Sequence, residues 1–301
     1  LEPSGAEDAR AERRPRSPPP PPRPARRAPR AEMGECSCKE RCDCTAQKVN
    51  GTAHVVTKQL CMQSEARPLQ TLADGVTYTG QWLGNEQDGH GMQMWPNGNT
   101  YIGQFQRGKA QGHGTFDRVD GNVYEGQWAA GLAHGSGGAR SRADGSSFYG
   151  QWVRDRKCGD GEECWPDGAQ YKGQYRDDLK DGTGTHSWPD GSSYVGSFER
   201  NDLQGEGTYT WSDGRKYHGQ WTRNRMHGDG IFTWPDGKRY CGNYVQDVKS
   251  GMGIFQWPDG RQYTGEWRQG KMHGVGTYTN AEGRQRRGEW SEGQMVRWLE
   301  E

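Results

Sequence analysis

Aromatic residues recur along the chain at a fixed interval, with glycine between them and polar residues around them. The first aromatic of each copy falls at Tyr78, Tyr101, Tyr124, Phe148, Tyr171, Tyr194, Tyr217, Tyr240 and Tyr263, at intervals of 23 residues except for 24 before Phe148. A fixed period in the twenties is typical of a repeat array in which each unit packs on its neighbours. The pattern fills residues 69–290 and gives nine repeats followed by a half repeat.

Each repeat contains two short stretches with the period of two residues that indicates a β-strand. In the first repeat, residues 78–82 (YTGQW) place two aromatics and a glycine on one face, and residues 89–95 (GHGMQMW) predict the return strand. Six polar or small residues between them predict the turn. Asn-Gly or Asp-Gly, as in residues 96–98 (PNG), then supplies the positive φ that the next tight turn needs.

Glycine normally weakens a strand, so its regular presence needs a physical cause. We expect the aromatic rings of one strand to lie over glycines of the next, where a Cβ would collide. The predicted fold class is all-β: an elongated, single-layer, twisted antiparallel β-meander of hairpins. Residues 291–301, with Met295 and Trp298, predict a short helical cap over the open edge strand. The extra residue between Gly135 and Gly145 predicts a β-bulge.

The composition supports a structure without a thick aliphatic core, and it argues against some classes of partner. Apolar residues make up only 30% of the chain, whereas glycine accounts for 47 of 301 residues and aromatics for 11%. Burial must therefore come from tyrosine and tryptophan laid against glycine. Lys+Arg and Asp+Glu are equal at 39 each, which argues against a nucleic-acid partner. Basic groups such as Arg223/Arg225 and Lys238/Arg239 leave anionic phospholipid as an alternative partner, although acidic residues are interleaved with them.

The sequence of the repeats contains no phosphate-binding loop, nucleophile elbow or metalloprotease motif. Histidines such as His134, His227 and His273 occupy the same position in separate repeats, which indicates repeat pattern rather than a catalytic cluster. We therefore predict no enzyme activity, no cofactor and no metal site in the array. Eight irregularly placed cysteines in a long chain favour a reducing, cytoplasmic location over a disulfide framework.

The combination YxGxW, then HGxG, then WPDG at this period resembles the MORN (membrane occupation and recognition nexus) repeat, and the resemblance covers residues 71–290. It implies a scaffold, because such arrays occur in membrane junctions, axonemal radial spokes and the cortical cytoskeleton. We expect a non-catalytic scaffold that binds a protein partner, either a helix or an extended peptide, along its aromatic face at a membrane or cytoskeletal structure. Two alternatives remain: an axonemal or radial-spoke component without a membrane anchor, and a regulatory module acting in trans on a lipid kinase or other enzyme.

The predicted partner-binding face consists of the two aromatics of each YxGxW stretch. Its members are Tyr78, Trp82, Tyr101, Phe105, Tyr124, Trp128, Phe148, Trp152, Tyr171, Tyr175, Tyr194, Phe198, Tyr217, Trp221, Tyr240, Tyr244, Tyr263 and Trp267. These rings either cover the glycines or stay open as a groove, and the sequence leaves both interpretations standing.

The chain ahead of the array divides into two segments. Residues 1–32 carry nine prolines and eight arginines, predict a disordered leader, and precede the first methionine, Met33. If translation starts at Met33, Gly34 becomes a candidate for myristoylation, with Cys36 and Cys38 as candidates for palmitoylation. The thiolates of Cys36, Cys38, Cys42 and Cys44 are alternatively a candidate metal set. A third interpretation is that residues 33–68 form a flexible segment with free cysteines.

Overall fold

The computed structural model describes residues 64–140 and 144–300. Gly34 and the N-terminal cysteines, with the acylation and metal-binding predictions made for them, lie outside these residues. Within them the chain forms one antiparallel sheet of 21 strands, with each strand paired to the strands before and after it in sequence. This confirms the predicted β-meander. A single 3-10 turn, Ala73–Gly75, follows the first strand.

The strands are β1 (Glu65–Thr71), β2 (Thr77–Leu83), β3 (Glu86–Met94), β4 (Thr100–Gln106), β5 (Lys109–Asp117), β6 (Val123–Ala129), β7 (Leu132–Arg140), β8 (Ser147–Val153), β9 (Arg156–Cys164), β10 (Gln170–Arg176), β11 (Leu179–Ser187), β12 (Ser193–Glu199), β13 (Asp202–Thr210), β14 (Lys216–Thr222), β15 (Arg225–Thr233), β16 (Arg239–Val245), β17 (Val248–Gln256), β18 (Gln262–Arg268), β19 (Lys271–Thr279), β20 (Gln285–Ser291) and β21 (Gln294–Trp298). Each of the nine repeats supplies one hairpin, from β2–β3 to β18–β19.

The polar turn inside each hairpin is shorter than the sequence pattern predicted. Only two residues lie between β14 and β15, Arg223 and Asn224, and both have positive φ, at 50° and 66°. Two positive φ values in succession are the geometry of the turn whose twist matches a right-handed strand pair. The Asp-Gly positions instead lie in five-residue loops between repeats, where Gly98 has the expected positive φ of 89°.

Neighbouring hairpin tips are joined by a pair of hydrogen bonds. The side-chain oxygen of Asn224 accepts from the backbone N–H of Leu203 at 2.7 Å, and the backbone N–H of Asn224 donates to the Leu203 carbonyl at 3.1 Å. The same two bonds recur where Asp155, Asp178, Asn201 and Asp247 occupy this turn position. Through these bonds Asp178, for example, ties its repeat to the previous one.

A register shift in each repeat gives the glutamine of YxGQW a structural role. In the second repeat the ladder skips between Gly103 and Phe105, which leaves the N–H of His113 without a strand partner. The side chain of Gln104 accepts from that N–H at 2.8 Å. Equivalent bonds come from Gln81, Gln127, Gln174 and Gln220. Each glutamine thus satisfies a backbone donor that the bulge would otherwise leave unpaired.

The strand glycines let two backbones and a tyrosine ring meet. Gly219 faces Gly230 across β14–β15, and a Cβ on Gly219 would lie 2.6 Å from the Gly230 Cα. A Cβ on Gly230 would lie 2.4 Å from the hydroxyl oxygen of Tyr217. That hydroxyl donates to the Gln220 carbonyl at 3.0 Å, which fixes the ring over the glycine pair. The predicted packing of rings over glycines is confirmed.

The predicted C-terminal helical cap is wrong. Glu292 and Gly293 form another two-residue turn with positive φ, and β21 (Gln294–Trp298) pairs with β20. The tail continues the alternation of the repeat: Met295 faces Trp290 across the pair, and Trp298 packs edge-on against Trp290. Eleven residues with this pattern complete a tenth hairpin more readily than they form an isolated helix.

The predicted bulge at the 24-residue interval is also wrong. Strands β7 and β8 pair in unbroken register from Gly135↔Trp152 to Arg140↔Ser147. The extra residue lies between the end of β7 at Arg140 and the start of β8 at Ser147, where six residues separate the strands instead of the five found between other repeats. A loop accepts an insertion at lower cost than a paired strand does.

We predict that Gly230→Ala and Tyr217→Ala are strongly non-additive. The added methyl group meets the Tyr217 ring, so Gly230→Ala alone should destabilise the array by about 1–3 kcal/mol. In the Tyr217→Ala background this collision is gone, and the same change should cost at least about 1 kcal/mol less. Urea unfolding of the four proteins of this cycle measures the coupling. Additive free energies would show that the ring does not impose the glycine.

Candidate functional site

The predicted partner-binding face forms the core of the sheet rather than an open groove. Of its eighteen residues, only Trp128 and Trp152 are half-buried, and the rest are at most 9% exposed. The first aromatic of each repeat packs edge-on against the second aromatic of its own repeat and of the next one. All these ring centroids lie 4.9–5.7 Å apart. We call this line of rings the inner row.

Hydrogen bonds also occupy most polar atoms of the inner row, although the buried indole N–H of Trp82 has no acceptor among the described residues. The Tyr101 hydroxyl donates to the Gln104 carbonyl, and burial raises the pKa of Tyr101 to about 12. Indole N–H groups donate to glycine carbonyls of the previous repeat, as from Trp221 to Gly207 at 3.2 Å. Because these rings are buried and packed against one another, their role is to hold neighbouring repeats together.

A second line of aromatic residues on the same face remains partly exposed. It consists of the tryptophans at the WPDG position, the rings two residues before four of them, and two further rings at the C-terminal end of the sheet. Its members are Trp165, His186, Trp188, Tyr209, Trp211, Phe232, Trp234, Phe255, Trp257, Tyr278 and Trp298. Successive ring centroids are 4.4–6.4 Å apart. We call it the tryptophan row. Its tryptophans are partly exposed, whereas His186, Tyr209, Phe232 and Phe255 between them are buried.

Between the two rows, one side chain from each hairpin is inserted among the rings. This insert position is the second residue of the return strand, and it is held by Gln87, Ala110, Ala133, Lys157, Lys180, Leu203, Met226, Lys249 and Met272. In several repeats the residue six places later interacts with the insert residue or is buried in the same cluster. Lys157 forms a 2.5 Å ion pair with Glu163, Gln87 donates to Gln93 at 3.3 Å, and Met226 and Phe232 are both buried in the core cluster.

The fifth repeat buries a polar pair at this position. Lys180 and His186 are 4% and 5% exposed, and the Lys180 ammonium lies 2.7 Å from Nδ1 of His186. Burial lowers the pKa of Lys180 to about 7, and burial together with Lys180 lowers the pKa of His186 to about 3. The imidazole is therefore neutral near pH 7 and accepts a hydrogen bond from the lysine.

The aromatic rows are interrupted in the second and third repeats, and a pocket of about 680 Å³ lies there. Arg118 stands where other repeats have the WPDG tryptophan, and Ala139 replaces a ring of the tryptophan row. Ala110 and Ala133 leave the insert position unfilled. Trp128 and Trp152, the two half-buried members of the inner row, line this pocket.

Other candidate chemistry from the sequence is dispersed or already paired. Of the basic residues named as possible lipid contacts, Lys238 forms an ion pair with Asp236, and the nearby basic residues Arg156 and Lys157 are paired with Asp177 and Glu163. Among residues 64–140 and 144–300, no three His, Cys, Asp or Glu side chains gather as a metal site. In the same part of the chain, no helix has the length and apolar character needed to cross a membrane.

The repeat pattern matches a known family over most of the array. A model of the MORN repeat matches residues 78–100, 101–123, 124–138, 148–170, 171–193, 194–214, 217–239, 240–260 and 263–283. The chain belongs to the MORN repeat family. The third match stops at residue 138, where this MORN array loses its tryptophan and gains its extra residue.

Solved structures with some likeness to this MORN array are more distant. The TCP domain of Drosophila melanogaster SAS-4, in complex with a proline-rich motif of Ana2, is 16% identical, covers 66% of this chain and 99% of its own, and has a TM-score of 0.34. The TCP10 domain of Danio rerio CPAP is 13% identical, with coverages of 78% and 100% and a TM-score of 0.27. Scores this low carry no functional information. No curated protein sequence matches the chain.

The insert position and the tryptophan row were not predicted from the sequence. A signal for both exists in the aligned repeats, because the insert column varies from alanine to lysine to methionine between constant aromatics. The residue six places on varies with it. Reading these two columns together indicates that the side chains meet, although only the structure shows which rings surround them.

We predict that the Lys180–His186 pair makes stability depend on pH. The folded pKa of Lys180 lies below its unfolded value of about 10.4, so unfolding takes up a proton and stability rises from pH 7 towards 10. The folded pKa of His186 is also lower than its unfolded value, so stability likewise rises with pH between about pH 3 and 6.5. Lys180→Met with His186→Phe, which reproduces the Met226–Phe232 pair, should flatten both windows. It should also stabilise the array by about 1–4 kcal/mol at pH 6.

Urea unfolding at pH 5, 6, 7.5 and 9 tests this double variant against the unmodified chain. Lys172→Met is the control, because Lys172 is exposed and pairs only loosely with Glu162 at 3.5 Å. An unchanged pH slope in the double variant would contradict the assignment.

Proposed function

We propose that this MORN array is a non-catalytic scaffold that binds an extended, proline-rich segment of a protein partner along the tryptophan row. The observation that carries the proposal is the regular series of partly exposed tryptophans, Trp165, Trp188, Trp211, Trp234 and Trp257, one per repeat. The inner row is buried and hydrogen-bonded, so a partner on this face meets the tryptophan row first.

The spacing of the tryptophans selects among partner conformations. One repeat spans two strands, or about 9.6 Å across the sheet. Ring distances agree with this spacing, since Tyr209 lies 5.1 Å from Trp188 and 4.6 Å from Trp211. A polyproline II segment repeats every three residues and about 9.3 Å, so it returns the same face to each tryptophan.

Other conformations fit the row less well. An α-helix returns a similar face after seven residues and about 10.5 Å, so it falls out of step by about 1 Å per repeat. An extended strand presents one face every two residues, or about 6.7 Å. A proline-rich segment also loses little conformational entropy on binding and commonly docks between aromatic side chains.

We predict that Trp188→Leu with Trp211→Leu weakens binding of a proline-rich peptide about tenfold or more. A twelve-residue proline-rich peptide serves as the probe, and a Gly-Ser peptide of the same length and an amphipathic helical peptide serve as comparisons. Leucine keeps an apolar side chain under the remaining rings while removing the indole edge. Isothermal titration calorimetry measures the affinities, and far-UV circular dichroism checks the fold.

Tyr149→Ala is the matched control, because Tyr149 is 69% exposed and lies outside both rows. Substitution of Trp221 or Trp267 is unsuitable, because each is buried and donates to a glycine carbonyl of the previous repeat. Equal affinity of the double leucine variant and the unmodified chain, or preference for the helical peptide, would refute polyproline binding along this row.

We also propose that the scaffold works at a membrane or cytoskeletal structure, with acylation at Gly34, Cys36 and Cys38 in a protein that starts at Met33. One myristoyl chain binds a membrane only marginally, so a neighbouring palmitoyl group is needed for stable attachment. The sequence Met33–Gly34 followed by cysteines supports this attachment.

We predict that Gly34→Ala moves the Met33-start protein from the membrane to the soluble fraction, because alanine at this place does not accept myristate. Fractionation of cells that express each form measures the shift. Trp188→Leu with Trp211→Leu should leave the fractionation unchanged. Membrane association that survives Gly34→Ala would exclude the lipid anchor and favour a cytoskeletal attachment.

A further inference from the structure

The eighth repeat contains an aromatic cage that already holds an ammonium group. The Lys249 side chain at the insert position is 8% exposed. Its Nζ lies over four rings, at 4.8 Å from Trp234, 5.1 Å from Tyr240, 5.1 Å from Phe255 and 5.2 Å from Trp267. Aromatic faces attract a cation through their quadrupole, and several faces around one ammonium add together.

The second repeat contains the same four ring types at the corresponding places. Trp95, Tyr101, Phe116 and Trp128 surround the insert position, which is Ala110. We call these four rings the open cage. These rings line the 680 Å³ pocket. The small side chain of Ala110 does not fill the space between them, whereas six repeats later the Lys249 side chain fills the corresponding space.

Ring composition separates this cage from those that hold apolar side chains. Lys249 and Ala110 are each surrounded by Trp, Tyr, Phe and Trp in sequence order. Leu203 and Met272 have a tyrosine in the third place, at Tyr209 and Tyr278. Met226, in contrast, has Phe232 there but a tyrosine, Tyr244, in the fourth place. Among the described repeats the set around Ala110 is thus identical only to the set that holds a lysine ammonium.

A buried acceptor in the pocket wall is a second, independent observation. Asn122 lines the pocket, and its side-chain oxygen is buried without a hydrogen-bond donor. The corresponding residue beside the Lys249 cage is Arg261, whose guanidinium is paired with Asp259. A buried, unpaired amide oxygen beside the open cage calls for a ligand that brings an N–H donor.

We propose that the open cage binds the ammonium group of a lysine side chain from the protein partner, with Asn122 accepting one of its N–H bonds. This inference rests on the proposed function, because it assigns a residue of the partner that lies on the same face. The occupant reproduces from outside the contact that Lys249 makes within its own chain.

The charged residues at the rim of the pocket include some that repel an incoming ammonium group and one that attracts it. Arg118 and Lys109 line the pocket as cations, and the Arg118 guanidinium lies 5.8 Å from the Phe116 ring. Both are exposed, so water and salt screen their repulsion of an incoming lysine. The Asp155 carboxylate lines the pocket as well and provides an opposing charge.

The test uses Nα-acetyl-lysine-N-methylamide as the cationic probe and Nα-acetyl-norleucine-N-methylamide as the apolar one. Titration of the full chain is followed by NMR at the indole N–H of Trp95 and Trp128. We expect the lysine probe to bind about 2- to 5-fold more tightly than norleucine, the ratio that a partly exposed cation–π contact gives. Equal or tighter binding of norleucine would overturn the proposal and make the pocket an apolar side-chain site.

Two substitutions in the cage sharpen the result. Ala110→Lys should place a lysine of the chain itself in the cage, as at Lys249, and abolish binding of the lysine probe. Phe116→Leu should lower the preference for lysine over norleucine while keeping the pocket apolar. Ala133→Ser is the matched control, because it alters the pocket wall outside the four rings. Probe binding that persists in Ala110→Lys would also refute the site.

The outcome is separable from that of the proposed function. If neither probe shifts the Trp95 and Trp128 signals while the proline-rich peptide still binds through Trp188 and Trp211, the cage assignment fails and the scaffold function stands. If the probe binds and the peptide does not, the cage stands as an ammonium site and the polyproline partner is excluded.

Discussion

The close approach of two glycine backbones beneath a tyrosine ring is the constraint on which the rest of the structure depends. At Gly219 and Gly230 a single methyl group would overlap both the opposite backbone and the Tyr217 ring. The ring is then locked by its hydroxyl and by edge-on contacts to aromatics of two repeats. Each such pair adds about 0.5–1.5 kcal/mol beyond simple burial. A sheet with few aliphatic residues is thereby stabilised without a second layer.

Contacts of this kind reach only the next repeat, so the energetics are nearly one-dimensional. The tip bonds of Asn224 with Leu203 and the indole bond of Trp221 with Gly207 both span adjacent repeats. Stability then follows from repeat energies and nearest-neighbour interfaces. At the two ends, β1 and the β20–β21 hairpin flank the nine full repeats.

The period, the hairpins and the packing of rings over glycine could be predicted from the sequence, because each has a local cause. The short turn at Arg223–Asn224 and the role of Gln104 could not, since they depend on the strand register and on one donor that the bulge exposes. The helical cap failed because Met295 and Trp298 suit a helix and a strand equally well until Trp290 is in place. The candidate site could not be predicted from the sequence either, because both rows consist of aromatic residues. Only the structure shows that the inner row is buried while the tryptophans of the other row are partly exposed.

The insert position recurs once per repeat, so the array contains candidate binding cavities at a regular spacing along the sheet. Where the surrounding rings are all present, as around Ala110, Leu203 and Lys249, the ring sets are alike. One side chain then decides whether the set is closed, as by Leu203, charged, as by Lys249, or accessible, as at Ala110. Exchange of alanine and lysine between two repeats would move an accessible site along the sheet in steps of about 9.6 Å without altering the backbone. A single codon per repeat can thus encode where along its length a scaffold of this kind is able to bind.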